Sequence, residues 1–324
     1  MAVPVPPNYR GSPATAPDRE GYVDRDGVRT FYDVYGDGPT TILFLPTWSI
    51  LHSLVWRCQI AYFARHYRVI VFDGRGNGRS DRPPDSSAYE PQEFVRDALG
   101  VLDATGTERA ITVSLSAGTT WNLILAAFHA ERVEAAAFVG PTTYAVSEPF
   151  PEWSTTPFNE RFESYAGFPG QNRYFIRDHY RDFAEFWNRL CFPEPHSTRP
   201  IEYGVGMSLE TSGDVVLATL DAAGMRDKQW AAERLAEAGA SLRPLARRLT
   251  CPVLVIEGEL DPIAPPHWAA ALADDAGGKL VTIPAAGHVP GGRKPVIFNL
   301  VLREFVESVR ESRAVASLGE AAVA

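Results

Sequence analysis

The apolar positions of this chain change period along its length, and the changes mark out its elements. Val28-Arg29-Thr30-Phe31-Tyr32-Asp33-Val34-Tyr35 alternates and reads as an early antiparallel edge strand, closed by Gly36-Asp37-Gly38-Pro39. Short apolar runs at 41–45, 68–73, 109–115 and 133–139 read as buried strands. Stretches with helical spacing lie between them, near 53–65, at 91–104 and at 117–130. Strands alternating with helices predict an α/β fold with a mostly parallel central sheet flanked by helices. The strand pattern resumes at 252–258 and 279–284. A last amphipathic helix, about 295–311, is expected to pack on the sheet through Val296, Leu300, Val301 and Phe305.

The stretch 141–245 breaks the alternation. It is dense in rings, Trp153, Phe183, Phe186, Trp187 and Phe192 among them, with arginine threaded through. It reads as an inserted, mainly helical cap whose rings fill a small core, wall an apolar pocket, or do both. The expected division is a core of residues 21–140 and 246–312 with the cap at 141–245. Residues 1–20, polar and without periodicity, are expected to be disordered, and 313–324 to form a frayed tail.

Chemistry enters at Ile111-Thr112-Val113-Ser114-Leu115-Ser116-Ala117-Gly118-Thr119, where a strand turns directly into a helix. Small residues two before and two after Ser116 allow a sharp turn that pushes its hydroxyl above the sheet. A helix N-cap serine would have the same local look, so the flanking context decides. Strand 252–258 runs into Glu259-Leu260-Asp261-Pro262, and strand 279–284 into Gly287-His288-Val289-Pro290. Ser116, Asp261 and His288 thus each follow a strand, at the edge where parallel sheets collect site residues. A serine hydroxyl is a weak nucleophile until a histidine takes its proton, and a carboxylate fixes the histidine tautomer. Glu257 and Glu259 are rivals for the acid; Asp261 is preferred because the turn ends on it and Pro262 fixes the exit.

The chain resembles α/β-hydrolase fold proteins on four ordered motifs. These are the elbow around Ser116, the glycine-rich turn Phe72-Asp73-Gly74-Arg75-Gly76-Asn77-Gly78-Arg79-Ser80-Asp81-Arg82-Pro83, the Asp261 turn and the His288 turn. The resemblance covers about 22–140 and 246–310. It implies a cofactor-free serine hydrolase acting on an ester, thioester or lactone with a bulky apolar part. Two departures stand out. Ser114 replaces the usual elbow glycine, and Pro46-Thr47-Trp48-Ser49 replaces the usual His-Gly-x-Pro loop. By position, the backbone N–H groups of Ala117 and Trp48 would form the oxyanion hole. Thr47, His52, Trp153, Phe186 and Trp187 are pocket candidates. A serine rather than an aspartate at the elbow argues against the dehalogenase and epoxide-hydrolase branches. Two alternatives stay open: carbon–carbon bond hydrolysis or acyl transfer by the same trio, and a ligand-binding sensor on a hydrolase scaffold, which the altered Trp48 loop would suit.

Composition narrows the rest. The 324 residues carry a net charge of −9, which argues against nucleic-acid or anionic-membrane partners and leaves a small-molecule substrate. No apolar run is long enough for a membrane helix, and Met1-Ala2-Val3-Pro4-Val5-Pro6-Pro7 is unlike a secretory signal. Cys58, Cys191 and Cys251 form no even framework, which suits a cytoplasmic protein; scarce lysine beside abundant arginine suggests a bacterial genome. His179, His196 and His267 lack ligand-like spacing, so no metal site is expected. A monomer or homodimer is expected.

Overall fold

The computed structural model describes the backbone of residues 15–323 and the side chains of 15–312. Eight strands form one sheet: β1 (Arg19–Arg25), β2 (Val28–Tyr35), β3 (Thr41–Phe44), β4 (Arg68–Phe72), β5 (Ala110–Leu115), β6 (Val133–Val139), β7 (Val253–Gly258) and β8 (Lys279–Ile283). Their order is β1-β2-β4-β3-β5-β6-β7-β8. β1 pairs antiparallel with β2, and β2 with β4; every later pairing is parallel. The chain steps outward from β3 to β4, then returns to the other side of β3 as β5. That reversal opens a crevice beyond the carboxyl ends of β3 and β5, where a ligand site belongs in an open parallel sheet.

Among the described residues eleven α-helices accompany the sheet: α1 (Arg57–Phe63), α2 (Pro91–Ala104), α3 (Gly118–Phe128), α4 (Arg173–Asp178), α5 (Tyr180–Cys191), α6 (Thr198–Ser208), α7 (Gly213–Ala222), α8 (Ala231–Ala246), α9 (Pro266–Asp275), α10 (Pro290–Arg293) and α11 (Pro295–Val323). Alternate strand residues feed opposite faces. Ile42, Phe44, Val69, Val71, Ile111 and Val113 pack with Ile60 and Phe63 of α1 and Phe298, Leu302 and Val306 of α11. Leu43, Ile70, Phe72, Ala136 and Val255 pack with Phe94 and Val101 of α2, Leu123 of α3 and Leu272 of α9. Both faces of the parallel strands β3 to β7 are covered, which is why they read as continuous apolar runs, while β8 at the edge of the sheet is mostly exposed.

Several expectations change here. Residues 1–20 were expected to be disordered; 1–14 lie outside the described residues, while Arg19 and Glu20 already belong to β1. β2 is therefore not the edge: β1 covers it through a two-residue turn at Asp26 (φ 55°) and Gly27 (φ 79°). Helix α11 does not stop near 311 but runs to Val323, in keeping with the helix-forming alanines and Leu318 of its last turns. Its buried face is partly the expected one, since Val301 and Phe305 pack against the core. Phe298, Leu302, Val306 and Val309 face inward, whereas Val296 and Leu300 are exposed. Both stripes are apolar at helical spacing, so periodicity alone cannot choose between them.

Between β6 and β7 the chain leaves the sheet for α4 to α8, the inserted segment the broken pattern announced. Its first part, up to Asn172, holds only a short 3₁₀ turn at Glu152–Ser154. Rings of α4 and α5 cluster, with Phe175 and Phe183 edge-to-face at 5.9 Å. Trp48, from the loop after β3, joins them at 6.1 Å from Phe183 and 5.2 Å from Trp187.

Candidate active site

Strand β5 delivers Ser116 into a strained turn. Its φ is +55°, a left-handed conformation that costs a non-glycine residue on the order of 1 kcal/mol and is concentrated at functional sites. Ser116 N–H donates to Val139 O (2.8 Å), which locks the turn to β6. A Cβ on Gly118 would lie 2.7 Å from Pro46 O, so glycine is what lets the start of α3 approach the β3 loop. Ser114 has a different job. It is fully buried, donates to Ala137 O (3.3 Å) and accepts from Asn122 Nδ2 (3.1 Å), which knits β5, β6 and α3 together. The backbone N–H groups of Ala117 and Trp48 donate to no protein acceptor among the described residues.

The other two residues meet at the neighbouring strand ends. His288 Nδ1 lies 2.7 Å from Asp261 Oδ2. With the carboxylate as acceptor, Nδ1 carries the proton and Nε2 keeps a free lone pair. Asp261 Oδ1 accepts from the N–H groups of Ile263 (2.7 Å) and Ala264 (3.0 Å), so the turn Pro262 terminates also orients the acid. Asp261 and His288 are both buried. Gly140 leaves room for the imidazole: a Cβ there would stand 3.0 Å from the ring. Glu194 Oε1 accepts from Gly287 N–H (2.7 Å) and steadies the histidine loop from the segment between α5 and α6.

Neither rival acid is hydrogen-bonded to His288 among the described residues. Glu259 is exposed and accepts from Ala285 N–H (2.8 Å), which ties the two turns together. Glu257 is fully buried, and neither of its carboxyl oxygens has a hydrogen-bond partner among the described residues. Burial, with the nearby Asp261 charge second, raises its pKa well above the ordinary carboxylate value.

Ser116 and His288 line one small cleft together with Thr47, Trp48, Leu115, Trp187 and Cys191. Within the described residues Ser116 Oγ pairs with Thr142 Oγ1 at 3.0 Å and makes no hydrogen bond to His288. Such separation is common in ligand-free sites, where the contact tightens once substrate binds. Sequence reasoning missed Thr142. The available signal was the polar Gly140-Pro141-Thr142-Thr143 run at the carboxyl end of β6, beside the elbow.

On the other side of Ser116 a cavity opens beneath the insert. Trp48, Ala117, Thr142, Trp153, Gln171, Trp187, Leu220, Met225 and Arg234 are among its walls. Of the pocket candidates, Trp153 and Trp187 line it, and Thr47 lines the smaller cleft. His52 and Phe186 depart from expectation. His52 is held by the Leu54 N–H and lines a separate hollow with Asp73, Arg79 and Glu210. Phe186 is spent on the ring cluster of the insert, 6.4 Å from Phe175 and 6.3 Å from Trp187. Asp73 and Arg75 brace the glycine-rich turn. Asp73 accepts from Ser53 and Arg79 N–H, and buried Arg75 holds Asp97 with Nε (2.7 Å) and Nη2 (2.8 Å). Among the described residues no cluster of three or more His, Cys, Asp or Glu is arranged for a metal ion. None of their helices is long and apolar enough to cross a membrane.

Comparison with known proteins gives the wider frame. Epoxide hydrolase A of Mycobacterium tuberculosis (strain ATCC 25618 / H37Rv) is 33% identical over 151 residues, 46% of this chain and 44% of that protein. Bifunctional epoxide hydrolase 2 of Sus scrofa is 32% identical over 136 residues, 40% of this chain and 23% of that protein. The matches thus span less than half the length of these curated relatives. Among solved structures, Est816, described as an N-acyl homoserine lactone degrading enzyme, superposes with a TM-score of 0.68 at 27% identity, over 88% of this chain and 100% of its own. The enol-lactonase from Burkholderia xenovorans LB400 also reaches 0.68, at 22% identity over 89% of this chain and 100% of its own, a likeness of fold alone. The model of the alpha/beta hydrolase fold matches residues 40–293, most of the chain and every strand from β3 to β8. With that match and this sheet, the chain belongs to the α/β hydrolase fold family.

Proposed function

We propose that this protein is a serine hydrolase that cleaves an ester, thioester or lactone through an acyl-enzyme, with the insert acting as a cap over the substrate. Ser116 Oγ attacks the acyl carbon while His288 Nε2 takes its proton. His288 then returns that proton to the departing alcohol or thiol. Asp261 holds the imidazole in the Nδ1–H tautomer and offsets the positive charge it gains. The N–H groups of Ala117 and Trp48 donate to the oxyanion that develops on the substrate. Water, activated by His288, releases the acid and restores the serine.

The observation that carries this reading is the 2.7 Å His288–Asp261 pair opening onto the same cleft as a serine held at positive φ. The unengaged N–H groups at Ala117 and Trp48 support it. The names of the curated relatives point to epoxide opening, but they match less than half of this chain. The elbow here offers a hydroxyl and not a carboxylate, so ring-opening through an aspartyl ester has no nucleophile at that position.

The test is direct. A fluorophosphonate probe is expected to label the wild-type protein, and Ser116→Ala to abolish both labelling and 4-nitrophenyl ester hydrolysis. Labelling that persists in the variant, or turnover within tenfold of wild type, about 1.4 kcal/mol of barrier, would remove Ser116 from the nucleophile's role.

A further inference from the structure

The cavity beneath the insert is walled by rings, aliphatic groups, neutral hydroxyls and the Gln171 amide, with one charged exception. Among the described residues that line it, Arg234 of α8 is the charged one, and no carboxylate shares the wall. A guanidinium seldom stays in such surroundings without a partner. Arg234 makes a single hydrogen bond among the described residues, Nε to Ala223 O at 3.3 Å, and no ion pair. Elsewhere in the insert, Arg173, Arg226 and Arg243 hold carboxylates at 2.6, 3.3 and 2.7 Å. Glu237, the acidic group that acts on Arg234 through its charge, is itself engaged by Lys228. Burial lowers the Arg234 pKa to about 10, with Glu237 opposing, so this half-buried group is a cation at neutral pH.

A second observation points the same way. Trp153 lines the cavity, is 5% exposed, and its Nε1–H has no acceptor among the described residues. A buried indole N–H without a partner costs free energy until an acceptor arrives. The cavity that contains Ser116 therefore offers donors that await acceptors: a fork of guanidinium N–H groups and an indole N–H. That combination suits the two oxygens of a planar carboxylate better than any neutral group.

We propose that Arg234, with Trp153, forms a carboxylate-binding subsite, and that the natural substrate is an ester, thioester or lactone carrying a carboxylate at the end remote from the scissile bond. The rest of that substrate lies against Trp48, Trp187, Leu220 and Met225. The substrate class rests on the serine-hydrolase reading above; the anion subsite does not, since it requires only that the cavity bind.

Two measurements separate the claims. The first compares kcat/KM for mono-4-nitrophenyl glutarate, which bears a free carboxylate, with that for 4-nitrophenyl butyrate. Wild type is expected to favour the carboxylated ester, and Arg234→Met to cut that preference by about tenfold or more, mainly through KM. Arg234→Lys, which keeps a point charge but not the fork, is expected to restore part of it. The second measures glutarate binding by calorimetry: retained in Ser116→Ala, lost in Arg234→Met and weakened in Trp153→Phe, with circular dichroism establishing that each variant is folded. A wild type without preference for the carboxylated ester, a preference unchanged in Arg234→Met, or glutarate binding indifferent to Arg234 would overturn the subsite. If neither ester turns over while glutarate still binds through Arg234, the subsite stands and the hydrolase reading is what fails.

Discussion

The carboxyl of Glu257 sits at the end of β7, fully buried, four residues before the acid that holds His288. Its raised pKa has a consequence for stability. The folded chain keeps this proton above the ordinary value of 4.5, where the unfolded chain gives it up. The folded state then binds more protons, so this residue's contribution falls as pH rises from 4.5 towards the folded pKa. The limiting slope is about 1.4 kcal/mol per pH unit. Glu257→Gln removes the proton exchange at nearly constant volume. The expected outcome in urea titrations from pH 5 to 8 is that wild type loses stability relative to this variant as pH rises; parallel profiles would mean Glu257 ionises normally. For Asp261 the expectation is catalytic. Asp261→Asn leaves the turn largely intact but mis-sets the imidazole tautomer, so kcat on 4-nitrophenyl butyrate should fall about 10³- to 10⁴-fold. A loss below tenfold would hand the orienting role to another acid. The sequence put Ser116, Asp261 and His288 after three strands, and a parallel sheet brings such positions together whatever lies between them. Thr142 and Arg234 were not legible, because a hydroxyl in a loop and one arginine among many gain meaning only from what surrounds them in space.

At the scale of elements, the parallel strands β3 to β7 announced themselves because both of their faces are covered. β1 did not. Its Arg19-Glu20-Gly21-Tyr22-Val23-Asp24-Arg25 is mostly polar, as an exposed edge strand tends to be, and only the Asp26-Gly27 pair marked a hairpin. Arg25 nevertheless ties β1 to α2, through Glu93 at 2.7 Å and Asp97 at 2.9 Å. The turn after β6 shows how an element can hold the side chain proposed as the general base without touching chemistry. Gly140 has φ +49°, and a Cβ there would lie 3.0 Å from the His288 ring and 3.3 Å from Asp261 Oδ2. Gly140→Ala is expected to cost about 1–2 kcal/mol from the left-handed backbone alone. The His288 ring must also shift by a few tenths of an ångström. Urea denaturation and kcat should therefore both report the substitution, and a variant as active as wild type would mean that the ring position is not set from this side.

Across the whole molecule, one junction couples the insert to the sheet. The segment joining α6 to α7 lies against the glycine-rich turn and the loop after β3. Asn77 Nδ2 donates to Ser49 O (2.7 Å) and Met207 O (3.2 Å), Thr211 Oγ1 to Gly76 O (2.6 Å), Arg82 to Glu210 O (2.8 Å), and Ser208 Oγ to Ile50 O (3.0 Å). Trp48 Nε1 adds a bond to Thr219 Oγ1 (2.8 Å) on α7, so the loop proposed to supply an oxyanion donor is itself held by the insert. Motion of the insert would then be felt at Trp48. Asn77 is the central link, 1% exposed and bridging both sides. Asn77→Ala withdraws its donors from two buried carbonyls, a loss of about 1–3 kcal/mol. If the junction anchors the insert locally, limited proteolysis should cut within residues 141–245 faster than global unfolding allows, and kcat should fall as the Trp48 loop loosens. If cleavage instead tracks global stability measured in urea, the insert and the sheet unfold as one unit, and substrate must enter by a route that leaves this junction closed.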